Sequence, residues 1–112
     1  MTLASLLSPP GPLVAYLPTA DPARLSEYLV AFANSDGGTI VLGVDDKGRP
    51  TGVFVEEAEG ALLAAERLCR PLVQTGWEHA EVDGGALYTI TVSRSPELHS
   101  LTDGRVLIRS GA

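Results

Sequence analysis

Fourteen consecutive residues, "AFANSDGGTIVLGV" at positions 31–44, hold the tail of a helix, a sharp reversal and a buried strand, and so constrain the fold more than any other stretch. Glycine tolerates the positive φ that follows a helix, and Asn or Asp bonds the neighbouring backbone, so Asn-Ser-Asp-Gly-Gly reads as the corner. The run "GTIVLGV" is almost uninterrupted aliphatic and β-branched sequence, which predicts a strand covered on both faces and central in its sheet. Upstream, Asp21 caps a helix whose first residue is Pro22, where a missing N–H costs nothing. That helix is predicted over 22–34. Leu25, Tyr28, Leu29 and Phe32 form its inward stripe, while Arg24, Ser26 and Glu27 face water.

The remaining elements follow from similar local signals. "PLVAYL" at 12–17 reads as a short strand. "DDKGRPTGV" at 45–53 holds a hairpin-type turn, with Gly48 at positive φ and a short strand from Thr51 to Val55. A second helix is predicted over 56–69, with Glu56 and Glu57 in its first turn, Arg67 and Arg70 near its end, and Pro71 as its stop. Ala58, Leu62, Ala65 and Cys69 make its inward face. "GWEHAEV" and "ALYTITV" pair across the "DGG" turn at 83–85, and "RVLIR" closes the chain as a final strand. The order is therefore strand, helix, hairpin, helix, hairpin, strand, with no internal repeat. At 112 residues this is one α/β (α+β) domain with one core. Five of the eight prolines fall in the first 22 residues, which sets off residues 1–11 as an irregular arm before a domain at 12–112.

Charge and cysteine content narrow the function. Eight Lys and Arg stand against fourteen Asp and Glu, for a net charge of −6, which argues against phosphate binding by the surface as a whole. Cys69 is the single cysteine, so neither an intramolecular disulfide nor a cysteine zinc cluster can form, and a reduced cytoplasmic setting is expected. The N-terminal stretch lacks a basic region and is broken by Pro9, Pro10 and Pro12. It reads as neither signal peptide nor membrane span, and no membrane partner is expected.

Familiar catalytic patterns are missing. His79 falls mid-strand and His99 in a loop, both read as surface or half-buried, and no serine sits in a Gly-x-Ser-x-Gly elbow. The adjacent acids Asp45-Asp46 and Glu56-Glu57 are explained by a turn and by a helix N-terminus, so no metal or other cofactor is expected. Gly37, Gly38 and Gly43 follow a helix instead of leading into one, which excludes a phosphate loop. A basic stripe remains: Arg94, Arg105 and Arg109 near the end, with Lys47 and Arg49 in the first hairpin turn.

The block "AFANSDGGTIVLGVDDKGRPTGV", followed by "ALYTITVSRS" and "DGRVLIRSG", resembles the Schlafen-type AlbA-like domain. The resemblance spans roughly residues 12–111 and implies an α/β fold with a mixed sheet and two helices. It also implies nucleic-acid binding, with the Asn-Ser-Asp-Gly-Gly corner and the terminal Ile-Arg-Ser-Gly among the characteristic positions. Family members typically carry a Glu-Phe-Lys-like strand at the front, where this chain has "LVAYLP". Ala15 then replaces the acid and Leu17 the lysine, leaving incomplete the acidic cluster associated with RNA cleavage in some Schlafen proteins. No enzyme activity is expected.

The leading expectation is thus a non-catalytic module binding DNA or RNA, in the manner of a transcriptional regulator. Lys47, Arg49, Arg105 and Arg109 would contact phosphates, and Asn34, Ser35, Gly37 and Gly38 would shape the corner. The alternative is a protein-interaction or self-assembly module, a homo-oligomer that has lost nucleic-acid binding. A third reading, ranked last, is a residual metal-dependent nuclease using Asp36, Asp45 and Asp46.

Overall fold

A computed structural model of the chain describes residues 13–82 and 85–108. The arm at 1–11, turn residues 83 and 84 and Arg109 lie outside the described residues. In chain order the elements are β1 (Val14–Leu17), α1 (Pro22–Ala33), β2 (Gly38–Leu42), α2 (Val55–Arg67), β3 (Cys69–Arg70), β4 (Thr75–Val82), β5 (Gly85–Val92) and β6 (Ser100–Leu101). The main sheet has the order β1-β2-β5-β4, while β3 and β6 form a separate two-stranded ribbon. β1 and β2 run parallel, joined through α1, and the other neighbours are antiparallel, so the sheet is mixed. The domain is α+β. Among the described residues no helix is long and apolar enough to cross a membrane.

α1 forms where its start signal lies. The Asp21 side chain accepts from the N–H of Ala23 at 3.1 Å and of Arg24 at 3.5 Å, and Pro22 occupies the first turn. Leu25, Leu29 and Phe32 are fully buried, whereas Tyr28 is partly exposed. Ser26 is buried too, contrary to its expected solvent position. Its hydroxyl donates to the Ala23 carbonyl at 2.6 Å, and that internal bond lets a polar side chain leave water.

β2 is central and sealed on both faces. Ile40 and Leu42 join the core beneath the helices with Tyr88, Ile90, Leu25 and Phe32. Val41, between them, points the other way and packs with Tyr16, Val44 and Leu87. A strand buried on both sides has no polar alternation, which is why its sequence is continuously apolar.

Three expected elements differ. No strand spans 51–55: Thr51 and Gly52 both donate to the Gly43 carbonyl, at 2.7 and 2.9 Å, and Gly52 turns the chain with φ of +78° before α2 starts at Val55. Only single bridges remain, Val44 with Pro50 and Val53 with Ala86. α2 ends at Arg67, because Cys69 and Arg70 pair with Leu101 and Ser100. The last strand is Ser100–Leu101, and residues 105–108 of the "RVLIR" run are not in a strand. Their backbone is held otherwise: Leu101 N–H donates to Arg105 O at 2.9 Å, and the Leu107 carbonyl accepts from a side chain described below.

Cys69 is fully buried, and its thiol donates to Ala65 O at 3.4 Å. Burial, aided by the nearby Glu66 charge and opposed by Arg70, pushes its pKa up to about 11. A group raised this far stays a thiol at neutral pH. A thiol reagent should leave the native protein unlabelled and react stoichiometrically once it is unfolded in denaturant; rapid native labelling would contradict this burial.

Candidate nucleic-acid interface at the helix–strand corner

The chain leaves α1 through a tight reversal. Ser35 and Gly37 both donate to Phe32 O, at 3.1 and 2.9 Å, and Gly37 adopts φ of +76°. A Cβ at Gly37 would lie 2.6 Å from Val92 O and 3.0 Å from Arg94 N; one at Gly38 would lie 2.5 Å from the Phe32 ring. The corner is therefore pressed against the segment leaving β5, and Ser95 N–H donates to Ala33 O at 2.9 Å to complete the contact.

Asn34 ties three distant segments together at this point. Its Nδ2 donates to His99 O at 2.8 Å and Leu107 O at 3.0 Å, while its Oδ1 accepts from His99 N–H at 2.7 Å. His99 is only 3% exposed, a correction to its expected surface or half-buried loop position. Its ring Nδ1 lies 2.8 Å from Pro71 O, and since a carbonyl only accepts, Nδ1 carries hydrogen. In the neutral ring Nε2 then accepts from Ser95 Oγ–H at 2.8 Å. The loop 93–99 folds inward because both its backbone and its one imidazole find partners there.

A cleft of about 300 Å³ opens beside this cluster, lined by Gln74, Ser93, Arg94, Ser95, His99 and one carboxylate, Glu97, among others. The Arg94 side chain is 75% exposed and stands 4.0 Å from Asp36, itself exposed. An ion pair so long and so wet is weak, and the guanidinium is available to another anion. Arg94 was legible only as part of a basic stripe; its place at the corner comes from β5 register, Val92 pairing with Gly38.

Asn34, Ser35, Gly37 and Gly38 thus sit together at one end of β2. Lys47 and Arg49 sit beyond the other end, five residues or about 17 Å away along the strand. There Asp45 organises the turn: its carboxylate accepts from the N–H groups of Lys47 and Arg49, each at 2.9 Å, and pairs with Arg49 Nε at 3.5 Å. The Arg49 N–H, with that of Lys47 and both positive charges, holds Asp45 below the usual carboxylate range. Arg105 reaches neither group. Its Nη1 donates to Glu27 at 2.7 Å and its Nε to Asp103 at 2.8 Å. The acids are divided as well, since Asp36 precedes β2 whereas Asp45 and Asp46 follow it. Ala15 and Leu17, in β1, are both buried in the core beneath the helices.

The profile of the family described as Schlafen, AlbA_2 matches residues 16–112. The chain belongs to this family. Among solved structures, this Schlafen AlbA_2 domain is similar to the DIP2311 protein from Corynebacterium diphtheriae, with TM-score 0.67 and 18% identity over 88% of this chain. The chain spans 24% of that protein's length. It is also similar to the N-terminal domain of a Nitrosomonas europaea protein whose name relates it to the ATP-dependent DNA helicase RecG, with TM-score 0.65 and 22% identity. That likeness covers 100% of this chain and 90% of the other. Comparison with curated proteins yields no match.

Proposed function

We propose that this domain binds nucleic acid without cleaving it, through the corner end of β2. The observation that carries the reading is the exposed, weakly paired Arg94 set beside Ser93, Ser95 and Gln74 on a cleft built against the corner. The Ser95 hydroxyl hydrogen is taken by His99, so the donors beside the guanidinium are the Ser93 hydroxyl and the Gln74 amide; together they suit a phosphate, and a local site of this kind does not need a basic total charge. The name of the Nitrosomonas protein, related to a DNA helicase, points the same way. Lys47 and Arg49 make a second patch that only a ligand spanning about 17 Å would reach. Arg105, paired with Glu27 and Asp103 and reaching neither group, has no part in this reading. The non-catalytic part of the proposal rests on Ala15 and Leu17, whose apolar side chains are spent on the core. A regulatory module fits this role.

Fluorescence-anisotropy titration against short single- and double-stranded DNA and RNA, at low and moderate salt, tests it. Saturable, salt-sensitive binding is expected. Arg94→Ala should weaken it across sequences and lower the salt slope by about 1. Absence of binding at low salt would remove the proposal. Self-association is a second reading, favoured by the exposed eight-residue edge strand β4; a solution mass that stays monomeric at high concentration would exclude it.

A further inference from the structure

A second cleft, of about 310 Å³, lies between α2 and the start of the edge strand β4, next in sequence to the Gln74 side of the first cleft. Glu59, Leu62, Leu63, Glu66, Trp77 and Tyr88 line it. Trp77 pairs across the sheet with Ile90 and so stands on the helix-covered face, where its ring stacks on Tyr88 with centroids 5.6 Å apart and planes 13° apart. Even so, 54% of Trp77 is exposed, and so is Leu63 across the cleft. Glu59 and Glu66 are seven residues apart on α2, two turns along one face.

Tyr88 is the unusual member. It is completely buried, and its hydroxyl has no hydrogen-bond partner. Burial first, and then the charges of Glu59 and Glu66, push its pKa up, so it remains a neutral hydroxyl with lone pairs to offer. Burial raises Glu66 also. Among the described residues no Lys or Arg lines the cleft. Two carboxylates, an indole face and an unpartnered hydroxyl share one preference, for a cation with hydrogens to donate.

We propose that this cleft receives an arginine or lysine side chain carried by an extended peptide segment of a partner protein, which pairs along the free edge of β4. The edge supplies main-chain donors and acceptors over eight residues. A strand added there places alternate side chains on the Trp77 face, so a basic residue at every second position would reach Glu59 and Glu66. The aliphatic stem lies on Leu63 and the indole. Rotation of the exposed Trp77 ring opens the path to the Tyr88 hydroxyl. Phosphates are repelled by the same carboxylates, which separates this surface from the corner.

Trp77 is the sole tryptophan of the chain, so its emission reports the cleft directly. The probe is a capped hexapeptide alternating valine and arginine, compared with one carrying citrulline for arginine. A saturable emission change with the arginine peptide is expected, about tenfold weaker for citrulline and for Glu59→Gln/Glu66→Gln. Tyr88→Phe should raise Tm by about 5 °C, because an unsatisfied buried hydroxyl is removed, while weakening peptide binding. Equal affinity for both peptides, full affinity in the double glutamine variant, or no response up to millimolar peptide would overturn the proposal. A concentration-dependent dimer abolished by Trp77→Ala would overturn it in favour of a second copy, and an equal response to an oligonucleotide in favour of nucleic acid.

Discussion

Gly37→Ala should destabilise the domain by about 3 kcal/mol, a fall in Tm of about 15 °C, read by urea and thermal unfolding. Two costs add. The φ of +76° is a conformation that an L-residue rarely adopts, and the new methyl carbon would sit 2.6 Å from the Val92 carbonyl, which β-sheet pairing holds in place. Because Arg94 N lies 3.0 Å from the same point, relief of the clash has to displace the Arg94 segment. The variant should therefore lose nucleic-acid affinity beyond what its unfolded fraction explains. Gly60→Ala is the control: it lies inside α2 with nothing within 4 Å of its Cβ, so alanine should stabilise by about 1 kcal/mol. Equal effects of the two substitutions would contradict the account of the corner.

Asn34→Ala should cost about 2 to 3 kcal/mol, because three hydrogen bonds go at once and leave His99 N–H, His99 O and Leu107 O without this partner. Asn34→Asp sharpens the test. It keeps the acceptor for His99 N–H but sets a carboxylate oxygen against two carbonyls, so it should be at least as destabilising near neutral pH. Amide exchange at His99 should accelerate in both variants. Slow exchange at His99 together with unchanged stability would show that the segments hold together without Asn34.

The legible part of the fold is the part whose causes are near in sequence. Asp21-Pro22 started a helix because a carboxylate caps N–H groups two and three residues on. The central position of β2 showed in its continuous apolar run, and the β4–β5 pairing showed in two strand-like runs either side of a turn. The mistaken elements depend on partners far away. Cys69 completes a helical stripe, yet its backbone pairs with Leu101, thirty-two residues later. Residues 105–108 have strand composition, yet the acceptor at Leu107 is taken by the side chain of Asn34, the residue that caps the C-terminal end of α1. Ser26 misled for a smaller reason, since a hydroxyl bonded to its own helix can be buried.

The site divides along the same line. The residue types of the corner, its positive-φ glycine and the end of α1 were determined by sequence alone, since each is a statement about one residue or its near neighbours. Only the tertiary structure decided that Arg94 joins the corner while Lys47 and Arg49 lie at the opposite end of β2, that His99 is buried beneath Asn34, and that Trp77 and Tyr88 meet Glu59 and Glu66. Those meetings are set by strand register and by the docking of helices on the sheet. Such contacts arise from packing a whole core at once, and the periodicity of any single segment carries no trace of which distant side chain will face it.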